Sequence, residues 1–151
     1  MSLPDLHIPT LSETDFWNVV QRLDWEAPTR QQILAPAVEA LAQYPESAIR
    51  QFEDIMAQKL FLLDTAAHAQ AAYPQQRISV DGFLYIRAAA VAAGREAYEY
   101  ILQHPQALNP NQDFEPLLYL AAEAFERKTG QPFTYVSPVS YETYANESGW
   151  L

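Results

Sequence analysis

Ser79-Val80-Asp81-Gly82-Phe83-Leu84-Tyr85-Ile86-Arg87-Ala88-Ala89-Ala90-Val91-Ala92-Ala93 is the stretch whose reading decides the fold. Beyond its first turn it is apolar in every direction around a helix axis, except at Arg87. The run is too long and too alanine-rich for a strand, so it reads as a helix opened by Ser79 as N-cap. A carboxylate in the first turn, Asp81, suits the free N–H groups and the positive end of the helix dipole. A helix with no polar face must be surrounded, so the rest of the chain is expected to pack around it.

Outward from this segment, the punctuation by Gly and Pro marks further helices. Gly94 offers a place to stop, bend or approach a neighbour closely, and helical character resumes from Glu96 to Gln103 before His104-Pro105. Past the loop at Asn109-Pro110-Asn111, a last helix is expected over 116–128, with Gly130 as its left-handed stop. In the other direction, Ile49, Phe52, Met56, Leu60, Leu63 and Ala67 share one face of a long helix over 46–72, ending at Tyr73-Pro74. A helix over 30–43 contains Pro36, which should kink it or mark its first turn. Phe16, Val19, Val20 and Leu23 define a helix over 13–24 preceded by Ser12.

These segments predict an all-α fold: a single-domain bundle of about five or six helices over 13–130. Residues 1–12, with Pro4 and Pro9, are expected to form an extended leader. Residues 131–151 are broken by Pro132 and Pro138 and rich in aromatic and β-branched side chains. They predict an extended tail, either strapped across the bundle with its tyrosines packed or docked on a partner.

Composition narrows the function classes. The 151 residues form one domain, large enough to fold without a disulfide or metal staple. No cysteine is present, which excludes disulfides, thiolate metal sites and cysteine nucleophiles. The net charge is −10, and the only lysines are Lys59 and Lys128, against the clustered cations that nucleic acid requires. Residues 1–28 carry five acids against one arginine, and residues 105–151 six acids against two bases, so the centre is nearly neutral in net charge. The chain shows no membrane-spanning run and no secretory leader, and is expected to be cytoplasmic.

Common catalytic motifs are missing. The four scattered glycines form neither a dinucleotide loop nor a P-loop, and no nucleophile elbow or H-E-x-x-H pair exists. Asn146-Glu147-Ser148 matches a glycosylation sequon but lacks the secretory context that would give it meaning.

Five polar residues form the candidate polar site or structural ion pair: Asp64, His68, Asp81, Tyr85 and Arg87. A buried guanidinium needs partners, because an unpaired buried charge costs several kcal/mol. Asp64 lies in an equally apolar stretch and is the expected partner. That pair reads either as an ion pair fixing two core helices or as an anion site in a cleft. Asp64 and His68 are four residues apart and so share one helix face. They could then orient an imidazole as a general base, form half a metal site, or make a plain helical hydrogen bond. Asp81 is explained by its place in the opening turn, and Tyr85 by a buried ring with a tethered hydroxyl.

The segment from Ser79 to Arg87, followed by Gly94-Arg95-Glu96-Ala97-Tyr98, resembles the bacterial domain of unknown function 4240. That family carries the pattern S-D-D-G-F-x-Y-F-R-x-W-L-I-x-x-G-R-x-x-Y. Phe16-Trp17, Leu63-Asp64, Pro105 with Leu108, and Glu126 to Gly130 are also similar to it, so the resemblance spans about residues 13–130. It implies a helical bacterial protein and carries no activity with it. The chain departs from the pattern at Val80, Ile86, Ala89 and Ala66, the last two standing where the family has tryptophan. Those losses should leave a cavity or bring helices closer.

Together these readings favour a non-enzymatic protein-interaction or regulatory module, of which an immunity-type protein is one form. The alternative is a small-molecule binder or hydrolase with a polar cleft around Asp64 and Arg87. No cofactor or metal is expected, a protein partner is the expected ligand, and the oligomeric state is open.

Overall fold

The computed structural model describes residues 11–151, so most of the expected leader lies outside the described residues. Among these residues the fold has seven α-helices, three short 3-10 turns and no strand. The helices are α1 (Glu13–Val20), α2 (Arg30–Leu41), α3 (Glu46–Leu62), α4 (Ala66–Ala72), α5 (Val80–Ala92), α6 (Arg95–Gln103) and α7 (Leu120–Thr129). The count exceeds the expected five or six because the long helix over 46–72 is two helices.

The cause of that break is local and tertiary together. Thr65 turns into extended backbone and caps α4, its Oγ1 accepting from the His68 amide at 3.0 Å. The last turn of α3 tightens, with the Leu63 amide on Leu60 O and the Asp64 amide on Phe61 O, and side chains from elsewhere add to its last carbonyls. Lys59 O accepts from the Tyr98 hydroxyl, Leu60 O from Arg87 and Phe61 O from the Asn146 amide. Leu60 and Phe61 thus accept from the residue three further on, where a continuous α-helix would use the fourth.

α5 lies where its all-round apolarity requires. Phe83, Ala88 and Val91 are fully buried, and the helix touches α3, α4, α6 and the 3-10 turn at Glu115–Tyr119. Ser79 caps it by accepting from the Gly82 amide at 3.1 Å. Gly94 separates α5 from α6 with φ +106° and ψ 171°, a conformation that only glycine adopts without strain. α1 opens with a reciprocal box in which Ser12 and Asp15 each accept the other's backbone N–H. α2 runs through Pro36 rather than starting at it, and packs on α7. α7 begins later than expected, because Glu115–Tyr119 winds as a 3-10 turn, and it ends at Gly130 in the left-handed region.

The tail is extended from 132 to 137, bends at 138–139 and turns at 143–144, where Tyr144 has φ 80°, and its side chains alternate. Phe133, Tyr135, Ser137, Val139, Tyr141 and Thr143 are at least partly buried, and the residues between them are exposed. It forms a strap, and the Tyr135 hydroxyl ties it to Asp54 of α3 at 2.7 Å. A final 3-10 turn, Glu147–Trp150, ends it. Among the described residues no helix is long and apolar enough to cross a membrane.

Candidate functional site

Arg87 and Asp64 are both completely buried, yet they do not form the expected ion pair. Each is turned to the strap instead. Arg87 Nη1 donates to Leu60 O and to Tyr141 O, both at 3.0 Å, and Nη2 donates to Thr143 Oγ1 at 3.0 Å. The guanidinium carbon stands 4.6 Å from the centre of the Phe83 ring, a cation–π contact away from water. Its Nε has no partner among the described residues. Placing a cation against Leu60 O also sets it at the negative end of α3.

Asp64 accepts three hydrogen bonds, all from the strap. Oδ1 takes the Tyr144 amide at 3.1 Å and the Trp150 indole N–H at 3.0 Å, and Oδ2 takes the Asn146 amide at 3.0 Å. Neutral donors aimed at an ionised acceptor stabilise it much as a counter-ion would. The two opposite charges are still near enough to feel each other. Burial lowers the Arg87 pKa to about 10, and the fields of Asp64 and then Glu142 oppose that fall.

The strap is fitted to this purpose. Thr143 Oγ1 accepts from Arg87 and donates to Val80 O at 2.8 Å, which joins α5 to the strap at both ends of one hydroxyl. Gly149 passes so close that a Cβ there would sit 2.8 Å from Asp64 O. Trp150 meets Phe83 edge-on at 6.2 Å and Tyr144 at 4.6 Å. The buried ring and guanidinium are thus edged by the partly buried indole.

The remaining candidates are dispersed. His68 does not face Asp64, because the helix break puts Asp64 before the Thr65 cap and His68 inside α4. Its Nδ1 pairs with Thr65 Oγ1 at 2.7 Å and its Nε2 with Ile101 O at 2.9 Å. A carbonyl can only accept, so Nε2 carries the proton and the neutral ring accepts from Thr65. Burial lowers the His68 pKa, the Ile101 hydrogen bond opposes this, and Arg87 adds to the lowering. Asp81 is exposed in the first turn of α5, and half-buried Tyr85 accepts the Phe114 amide at its carbonyl. Among the described residues no group of three His, Cys, Asp or Glu is placed to hold a metal.

Of the two aromatic losses, Ala66 is exposed and leaves no internal gap. Ala89 does leave space. It borders two surface hollows, of about 460 and 260 Å³, on the α5 face towards Trp25 and Leu108.

The strap's contribution was not visible in the sequence. Tyr141, Thr143, Asn146 and Trp150 lie far along the chain from Asp64 and Arg87. The available signal was the alternation over 133–143, which announces an extended segment with one buried face but not the charge beneath it. Glu53 was missed as well. It lines a hollow of about 290 Å³ with Tyr135, Ser137, Ser140, Tyr141 and Glu142. Burial and the neighbouring Asp54 raise its pKa to about 7.

The sequence pattern of a family described as a protein of unknown function, DUF4240, matches residues 11–127. The chain belongs to this family. No curated protein and no solved structure matches it. The DUF4240 match includes Asp64 and Arg87, whereas the strap residues that hold them lie beyond its last residue.

Proposed function

We propose that this DUF4240 protein is a non-enzymatic interaction module, regulatory or immunity-like in kind, that presents its clasped strap to another protein. The observation carrying this reading is the use made of Asp64 and Arg87. Both are fully buried and directed at strap atoms, while the strap's outer face carries Val136 at 84% exposure and Tyr144 at 49%. Large exposed apolar side chains on a rigid support favour association. A hydrolase or small-molecule site at Asp64 and Arg87 would need polar atoms reachable from solvent, and neither side chain has any exposure.

Gel filtration of a lysate from the source cell tests the reading. The native chain should elute ahead of the purified protein, and the shift should vanish at high dilution. Identical elution in lysate and in pure form, at native concentration, overturns it.

A further inference from the structure

The surface beside the strap has two adjoining hollows of different chemistry. One, of about 440 Å³, is mainly apolar: Phe61, Leu62, Pro138, Val139 and Ala145 line it, with Gln58 and Ser140 as its polar members. The other is the hollow at Glu53 and Glu142; the two share Val139 and Ser140 in their walls, so they adjoin on one grooved face between α3 and the strap. At the borders of this face stand Leu62, 43% exposed, and Val136.

Charge on this face is mostly negative: Arg50 of α3 also lies near Tyr135, but it is paired with Glu46. No lysine or arginine occurs from Gly130 to Leu151, and Glu53, Asp54 and Glu142 stand along or beside the acidic half. The Glu53 carboxylate receives no hydrogen bond from a described residue, and burial with Asp54 holds its pKa near neutrality, at about 7. A cation placed in that hollow would favour the ionised carboxylate against both effects.

The strap backbone supplies a third observation. The amides of Thr134, Tyr135, Val136 and Ser137 have no hydrogen-bond partner among the described residues, although the segment is extended and alternating. An extended chain with free main-chain groups is a template for another extended chain. The Tyr135–Asp54 hydrogen bond holds this stretch, and the clasp at Asp64 and Arg87 holds the chain that follows it, which lowers the ordering cost of association.

We propose that the groove between α3 and the strap docks an extended segment of another protein whose apolar side chains alternate with lysine or arginine. The apolar residues enter the Leu62–Val139 hollow and a basic residue meets Glu53 and Glu142. The proposal rests on the interaction reading above and names its surface and partner chemistry. A second copy of this chain is a poor occupant, because its net charge of −10 would meet carboxylates of the same sign.

The test places a photo-crosslinking residue in the full chain, in the source cell, at Leu62, Val136, Trp25 or Tyr119 in turn. Trp25 and Tyr119 line neither hollow. Adducts from Leu62 and Val136 to a segment with alternating basic and apolar residues, identified by peptide mass spectrometry, are the expected result. Glu142→Lys, on an exposed side chain, should then lower their yield about tenfold while the thermal midpoint stays close to that of the parent. Should that variant unfold, Glu142→Gln provides the comparison, with a smaller loss in the same direction. An unchanged yield in a folded charge variant overturns the proposal. Adducts from Trp25 or Tyr119 alone, to a second copy of the chain, or to an acidic segment also overturn it. In the first and last of these cases the interaction reading stands. Adducts at no position overturn both.

Discussion

Asp64 gathers two backbone amides and an indole N–H from one short piece of chain, and truncating it strands all three donors inside the protein. Buried donors without an acceptor are expensive, so Asp64→Ala should destabilise the fold by about 3–5 kcal/mol in denaturant titrations. Amide exchange at Tyr144 and Asn146 should accelerate more than exchange in α5. Arg87→Ala should cost a similar amount, through the lost volume and through the stranded acceptors at Leu60, Tyr141 and Thr143. Both residues hold the same strap, so the double variant should lose less than the two single losses combined. Additivity would mean that the two contacts are independent. Glu53 calls for a different measurement. Its folded pKa, about 7, lies above the ordinary glutamate value of 4.5, so the folded state binds more protons than the unfolded state between those two pH values. Its contribution is fully present below pH 4.5 and is lost as pH rises through 7. Glu53→Gln removes the ionisable group, and should raise the thermal midpoint at pH 8 relative to the parent while changing it little at pH 4.

At the scale of elements, the helix ends hold the information that the helix interiors lack. α3 and α4 were legible as one apolar face, and nothing in their periodicity required a break. The break follows from the tight turn at Leu63 and Asp64 and from the cap that Thr65 supplies, with Tyr98, Arg87 and Asn146 added on the last α3 carbonyls. The α5–α6 junction is the opposite case, since Gly94 announced it. Gly94 occupies backbone space that a side chain rarely reaches, although a Cβ there would meet nothing within 4 Å. Gly94→Ala should therefore destabilise through backbone strain alone, by about 1–3 kcal/mol in chemical denaturation. An unchanged midpoint would mean that the junction can relax into another conformation.

For the molecule as a whole, the strap acts as the closing piece of the core. Without residues 131–151 the carboxylate of Asp64 loses every donor, and Arg87 keeps only Leu60 O. Deletion after Gly130 should lower the thermal midpoint by more than about 10 °C, measured by circular dichroism, because several kcal/mol are lost from a domain of this size. A truncated protein that melts with the parent would show that the strap contributes surface and no stability.

The amino-acid sequence by itself determined the helical class, the central place of α5 and the caps at Ser12, Ser79 and Gly130, because periodicity and capping are local properties. It also marked Arg87 and Asp64 as charges in apolar surroundings. Their partners were decided only by the tertiary structure, for a physical reason. A buried charge can be satisfied by an opposite charge or by several neutral dipoles, and composition cannot say which arrives first. Here the strap brings a carbonyl and a hydroxyl to Arg87, and two amides and an indole to Asp64, from more than fifty residues away along the chain. Two charges that the sequence suggested as partners became the anchors of a third element.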